Sequence, residues 1–166
     1  MSKFFMTDKD KNMKTYKLLY LLLLLPLLAS CSASRNTTQA VDKRIQYAYR
    51  FIGTPYRTGG TTPQGFDCSG FMQYVFRNFD CNLPRSTADQ VRVGKEIKRK
   101  KLMPGDLVFF AGRSGKSVGH VGMVVQTYPD KTFKFIHVAT QRGVTEDYSH
   151  AAYWRRRYLI ARRVFF

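Results

Sequence analysis

The chain has 166 residues, which suits one domain better than two. Hydrophobic residues make up 44% of it and charged residues 23%, a composition that excludes global disorder. With 28 Lys and Arg against 11 Asp and Glu, the net charge of +17 calls for an anionic partner without choosing between nucleic acid, membrane and another polymer.

Lys3, Lys9, Lys11, Lys14 and Lys17 form a basic leader, and Leu18 to Leu28 an apolar run of 11 residues interrupted by Pro26. A membrane-spanning helix needs roughly 20 such residues, so the run fits the apolar centre of a secretory signal. Leu28-Ala29-Ser30-Cys31 resembles a bacterial lipobox. Residues 1–30 are therefore expected to be a signal peptide, with Met13 as a second possible start, and Cys31 to carry lipid. Residues 31–38, small and polar, form the expected tether. Residues 1–30 hold five Lys and two Asp, so 23 basic and nine acidic side chains lie beyond them and the positive charge travels with the exported part. Export makes an envelope polymer the expected partner and argues against nucleic acid. Ser32 stands where an Asp would retain some lipoproteins at the inner membrane, so the expected location is the outer membrane, facing the periplasm. A monomer is expected.

Residues 39–166 read as one α+β domain. Val41, Ile45, Ala48 and Ile52 recur at helical spacing and predict a helix over 39–52, stopped by Gly53 and Pro55. Residues 54–65, rich in Gly, Pro and Thr, predict a loop. Phe71, Met72, Val75, Phe76 and Phe79 make one face of a helix over 68–79. Ser86 is placed to cap a short helix reaching about Val93. Strands follow over 106–110, 120–127, 132–139 and 158–166. Helices first and an antiparallel sheet afterwards is the α+β order.

Cys68 sits where a Gly-rich loop meets a helix. Free N–H groups and the helix dipole there favour a thiolate, the nucleophilic form of Cys, and its own N–H is placed to help hold an oxyanion. A Cys68–Cys81 disulfide is the bland alternative, with Cys81 otherwise a buried small hydrophobe. A thiol nucleophile also needs a base. His120 opens one apolar strand and His137 lies within its neighbour, so the two rings can sit side by side, one facing the thiol and the other orienting it. His137 taken alone reads equally well as a satisfied core histidine. His150, in a polar stretch with Asp147, Tyr148 and Ser149, reads as a rim residue. No CxxC or HxxxH pair is present, and neither metal nor cofactor is expected.

Six ordered blocks, 54–60 (TPYRTGG), 65–71 (GFDCSGF), 83–86 (LPRS), 104–110 (PGDLVFF), 119–122 (GHVG) and 135–137 (FIH), resemble the NlpC-type cell-wall cysteine peptidases. The resemblance spans about residues 40–164. It implies a papain-like fold, with helices packed on an antiparallel sheet. It implies Cys68 as nucleophile, His120 as general base and acid, and His137 as the polar third member. It also implies that Tyr56 lies beside the nucleophile, that Asp67 and Ser69 contact substrate, and that Arg85 and Ser86 line the groove. Asp67 otherwise reads as a helix cap, and the other three as turn or loop residues. The implied substrates are peptidoglycan stem peptides, cut through a thioester acyl-enzyme either between D-glutamate and a diamino acid or at the peptide cross-link. Other readings are an inactive envelope scaffold, or an amidase or acyltransferase on the same fold.

Overall fold

A computed structural model describes residues 39–112, 115 and 117–164. The chain divides into two units, Met1–Ala40 and Val41–Phe166, and the second is compact. The expected signal peptide, Cys31 and the tether lie outside the described residues.

Helix α1 covers residues 39–49, and within the second unit Ile45 and Ala48 are buried. It stops short of the expected 52, so Ile52 falls in the following turn and is exposed. The loop after it folds back as a small hairpin of β1 (Thr61–Thr62) and β2 (Gly65–Phe66). Helix α2 (Cys68–Arg77) and the single turn α3 (Thr87–Gln90) come next. The apolar residues of α2 recur at helical spacing, and Phe71, Met72, Val75 and Phe76 are fully buried against the sheet.

The sheet has six antiparallel strands in the order β3-β8-β4-β5-β6-β7. They are β3 (Lys95–Ile97), β4 (Leu107–Ala111), β5 (Val118–Thr127), β6 (Phe133–Ala139), β7 (Gly143–Tyr148) and β8 (Tyr158–Arg163). The central strand β4 is apolar and buried throughout because both its faces are covered. Leu107 and Phe109 enter the core beneath α2, while Val108 and Phe110 enter a second core on the other face. β6 alternates likewise: Ile136 and Val138 join the first core, Phe133 and Phe135 the second. His137 follows Phe135 at the strand period and therefore shares its face.

The expected α+β, papain-like arrangement is present, with additions besides the β1–β2 hairpin. β3 and β7 extend the sheet at its two edges, and helix α4 (Ala152–Arg157) precedes β8. Asp147 and Tyr148 belong to β7, and His150, read as a rim residue, is exposed in the turn that follows.

Candidate active site

Asp67 closes the N-terminus of α2, its carboxylate accepting the Gly70 N–H at 2.7 Å. Its own N–H donates to the Gly60 carbonyl at 3.0 Å. A Cβ at Gly70 would stand 2.1 Å from that same oxygen, so Gly at 70 lets the helix start press against the preceding loop. Cys68 is thereby fixed as the first helical residue.

Cys68 and Cys81, the two cysteines among the described residues, are free thiols rather than a disulfide. The Cys68 sulfur lies 3.7 Å from the Thr87 hydroxyl, and the N–H groups of Val121 and Ser69 are directed towards it. Burial pushes the thiol up, and the Asp67 charge adds to this; the hydrogen bonds from Thr87, Val121 and Ser69 oppose it without prevailing. The helix start was expected to favour a thiolate. Burial of the sulfur works against that tendency.

The β5–β6 register pairs Gly122 with His137, which puts His120 two residues away on the same face. The two rings meet there, His120 Nε2 lying 3.0 Å from His137 Nδ1. Gly122 permits this closeness of strands, since a Cβ on it would meet the Phe135 ring at 2.7 Å. His137 is wholly buried. Its Nε2 is 3.0 Å from Asp147 Oδ2, which also accepts from Arg142 Nη2 at 2.7 Å and from Trp154 Nε1 at 3.0 Å. The Trp154 ring stacks on His120 at 5.3 Å and 27°, and meets His137 edge-on at 4.9 Å.

Burial, then the neighbouring His137, pushes His120 down to about 3. Burial also lowers His137, against the pull of Asp147. Burial would raise the Asp147 carboxyl, but hydrogen bonds from His137, Arg142 and Trp154 outweigh it and hold the group well below the usual carboxylate range. At neutral pH the cluster is therefore two neutral imidazoles and one carboxylate.

Tyr56, Cys68, His120, His137, Asp147 and Trp154 line one open groove of about 860 Å³. Asp67, Ser69 and Arg85 form a separate cluster outside its lining. There Arg85 donates to both carboxylate oxygens of Asp67, at 2.5 and 3.1 Å, and to the Ser69 hydroxyl at 3.0 Å. Ser86 is exposed, and its hydroxyl caps α3, accepting from the Asp89 N–H and donating to the Asp89 carboxylate. The structure thus brings together Tyr56, Cys68, His120 and His137, and separately Asp67, Ser69 and Arg85. It leaves Ser86 as a cap. His150 is exposed in the turn after β7. Asp147 and Trp154 were not singled out from sequence. The available signal for Asp147 was a carboxylate at hairpin distance from His137.

A thiol at a helix start and a histidine on an antiparallel sheet, lining one groove, define a papain-like arrangement. Residues 53–163 match the NlpC/P60 family. The chain is 43% identical over 113 residues to "Probable endopeptidase NlpC" of Escherichia coli strain K12, covering 68% of this chain and 70% of that one. It is 41% identical over 142 residues to "Murein DD-endopeptidase MepS/Murein LD-carboxypeptidase" of the same strain, covering 83% and 72% respectively. Among solved structures, an NlpC/P60 family protein of Bacillus cereus superposes with a TM-score of 0.68 at 34% identity. That match covers 74% of this chain but 39% of the Bacillus chain. This chain belongs to the NlpC/P60 family.

Proposed function

We propose that this chain is a peptidoglycan hydrolase that cleaves amide bonds in cell-wall stem peptides. The observation that carries this reading is the meeting of Cys68 and the His120–His137 pair on one open groove. The murein endopeptidase name borne by the MepS relative supports the substrate class, and the bond cut is either the D-glutamyl–diamino acid bond or the peptide cross-link.

Catalysis starts from the neutral pair. His120 removes the thiol proton as the Cys68 sulfur attacks the amide carbonyl carbon, so the thiolate forms only as it is consumed. The oxyanion is held by the Cys68 N–H, with the Tyr56 hydroxyl at the edge of the groove. Collapse breaks the C–N bond, and the protonated His120 gives its proton to the leaving amine. Water then attacks the thioester with His120 again as base, releasing the acid and restoring the thiol. Arg85, held by the Asp67 carboxylate and the buried Ser69 hydroxyl, contacts the substrate beyond the groove through its remaining donors. Ser86 contributes by holding α3, and with it Thr87, near the sulfur. Export, lipid attachment at Cys31 and residence at the envelope belong to the same reading, supported by the leader sequence.

The test is digestion of purified peptidoglycan with fragments identified by mass spectrometry, which reports activity and bond position together. Cys68→Ala is expected to abolish fragment release while leaving the thermal unfolding transition in place. Full activity of that variant refutes the mechanism.

A further inference from the structure

Three groups stand in line across the sheet, His120 on β5, His137 on β6 and Asp147 on β7, and Trp154 on α4 touches all three. The Cys–His–His reading uses only the first two of these. Asp147 is 21% exposed at its side chain, and its Oδ2 gathers three donors from three different places.

We propose that Asp147 is a positioning residue that sets the direction of the proton relay, forcing His120 to carry its proton on Nε2 and to present the Nδ1 lone pair to Cys68. A carboxylate only accepts hydrogen bonds, so at 3.0 Å His137 Nε2 must be the donor. A neutral imidazole has one N–H, which leaves His137 Nδ1 as acceptor. The contact at 3.0 Å from that nitrogen then requires His120 Nε2 to donate. His120 Nδ1 is the one base site left on the pair. Arg142 and Trp154 keep the carboxylate in place, and Trp154 also fixes the plane of His120 by stacking on it. Among the described residues, the charged or titratable groups sharing the groove with the pair are Asp147 and Arg142 from the β7 side, Tyr153 and Arg157 from α4, Tyr56 from the loop before β1 and, across the groove, Cys68 from α2. When His120 becomes cationic during attack, Asp147 is the nearby negative charge that steadies the relay.

This rests on the Cys68–His120 reading, and the test separates the two. ¹⁵N NMR of the histidine rings at pH 7 reports the tautomer without any turnover. The expected result is a proton on Nε2 of His120 in the unaltered chain. Asp147→Asn keeps an oxygen where the three donors converge, so the tautomer is expected to persist while the charge is lost. Its kcat/KM on a cross-linked muropeptide is expected to fall about tenfold or more. The acid limb of its pH profile is expected to move to lower pH, because the base loses the charge that stabilises its protonated form. Asp147→Ala removes acceptor and charge, and is expected to give a mixture of His120 tautomers and a larger fall. A proton on Nδ1 of His120 in the unaltered chain overturns the proposal. So does an Asn variant within twofold of the original kcat/KM with an unmoved acid limb, which would leave Asp147 as a staple between β7 and α4. Failure of Cys68→Ala to abolish activity would instead remove the underlying reading, leaving the tautomer result standing.

Discussion

Two neutral histidines, His137 buried and His120 half-buried at the groove, make the protein sensitive to mild acid. His120 in the unfolded chain takes up a proton near its ordinary value of 6.5, but in the folded chain only near 3. Between these values the unfolded state binds more protons, so stability rises with pH across the window and is lost as pH falls from 6.5 towards 3. His137, also lowered, acts with the same sign. Each group contributes at most about 1.4 kcal/mol per pH unit. Asp147 is depressed, so its contribution is complete above the ordinary carboxylate value and disappears only below it, at lower pH than the histidine window opens. Urea unfolding is therefore expected to show a falling midpoint already between pH 7 and 5, with a shallower fall in His120→Gln. A midpoint flat over that range would contradict two neutral histidines at this site. The site's three named groups were visible in sequence because Cys68, His120 and His137 stand in blocks with sharp local character. Asp147 was not, because its role comes from β7 pairing with β6 in a hairpin, and β7 has no apolar alternation to mark it as a strand.

The elements missed from sequence share a physical cause: they lack a clean apolar period. In β7, Thr145, Glu146 and Asp147 are all partly buried and polar, with Glu146 bonded to Tyr49 and Lys134 and Asp147 to His137. Alternation is erased when inward residues are hydrogen-bonded rather than hydrophobic. β3 is three residues at an edge, and α4 is six residues ending in Arg155, Arg156 and Arg157, with Trp154 as its inward anchor. By contrast α2, β4 and β6 were readable because burial on one or both faces writes itself into apolar spacing. Where α2 begins is set less by that spacing than by close backbone contact at Gly70. Gly70→Ala places a methyl against the Gly60 carbonyl, an atom that cannot rotate away. The helix start must shift, carrying Cys68 with it. Overpacking of this kind costs about 1–3 kcal/mol. The expected outcome is a lower unfolding midpoint together with a fall in kcat larger than that in substrate affinity. Unchanged kcat in a destabilised variant would show that the helix start tolerates displacement.

At the scale of the whole chain the acidic residues are mostly engaged, and the basic ones far outnumber them. Asp67, Glu96, Asp106, Glu146 and Asp147, five of the nine beyond residue 30, are paired with Arg85, Arg162, Arg163, Lys134 and Arg142. Beyond residue 30 the 23 basic side chains face nine acidic ones, so pairing within the chain leaves a large cationic excess. An anionic cell wall would attract that excess at long range, and the attraction would be screened by salt. The proposed lipid at Cys31 is a second and independent means of staying at the envelope, since its hold on a bilayer rests on buried methylene groups rather than charge. The two are separable in one experiment. Cys31→Ala is expected to leave the membrane fraction of the cell, yet to sediment with purified peptidoglycan at about 0.01 M salt, where the Debye length is about 30 Å. Near 1 M, where that length is about 3 Å, it is expected to stay in the supernatant. Retention of the variant in the membrane fraction would refute anchoring through Cys31. Sedimentation indifferent to salt would mean that the wall is recognised through the groove's short-range contacts instead of through the charge of the molecule.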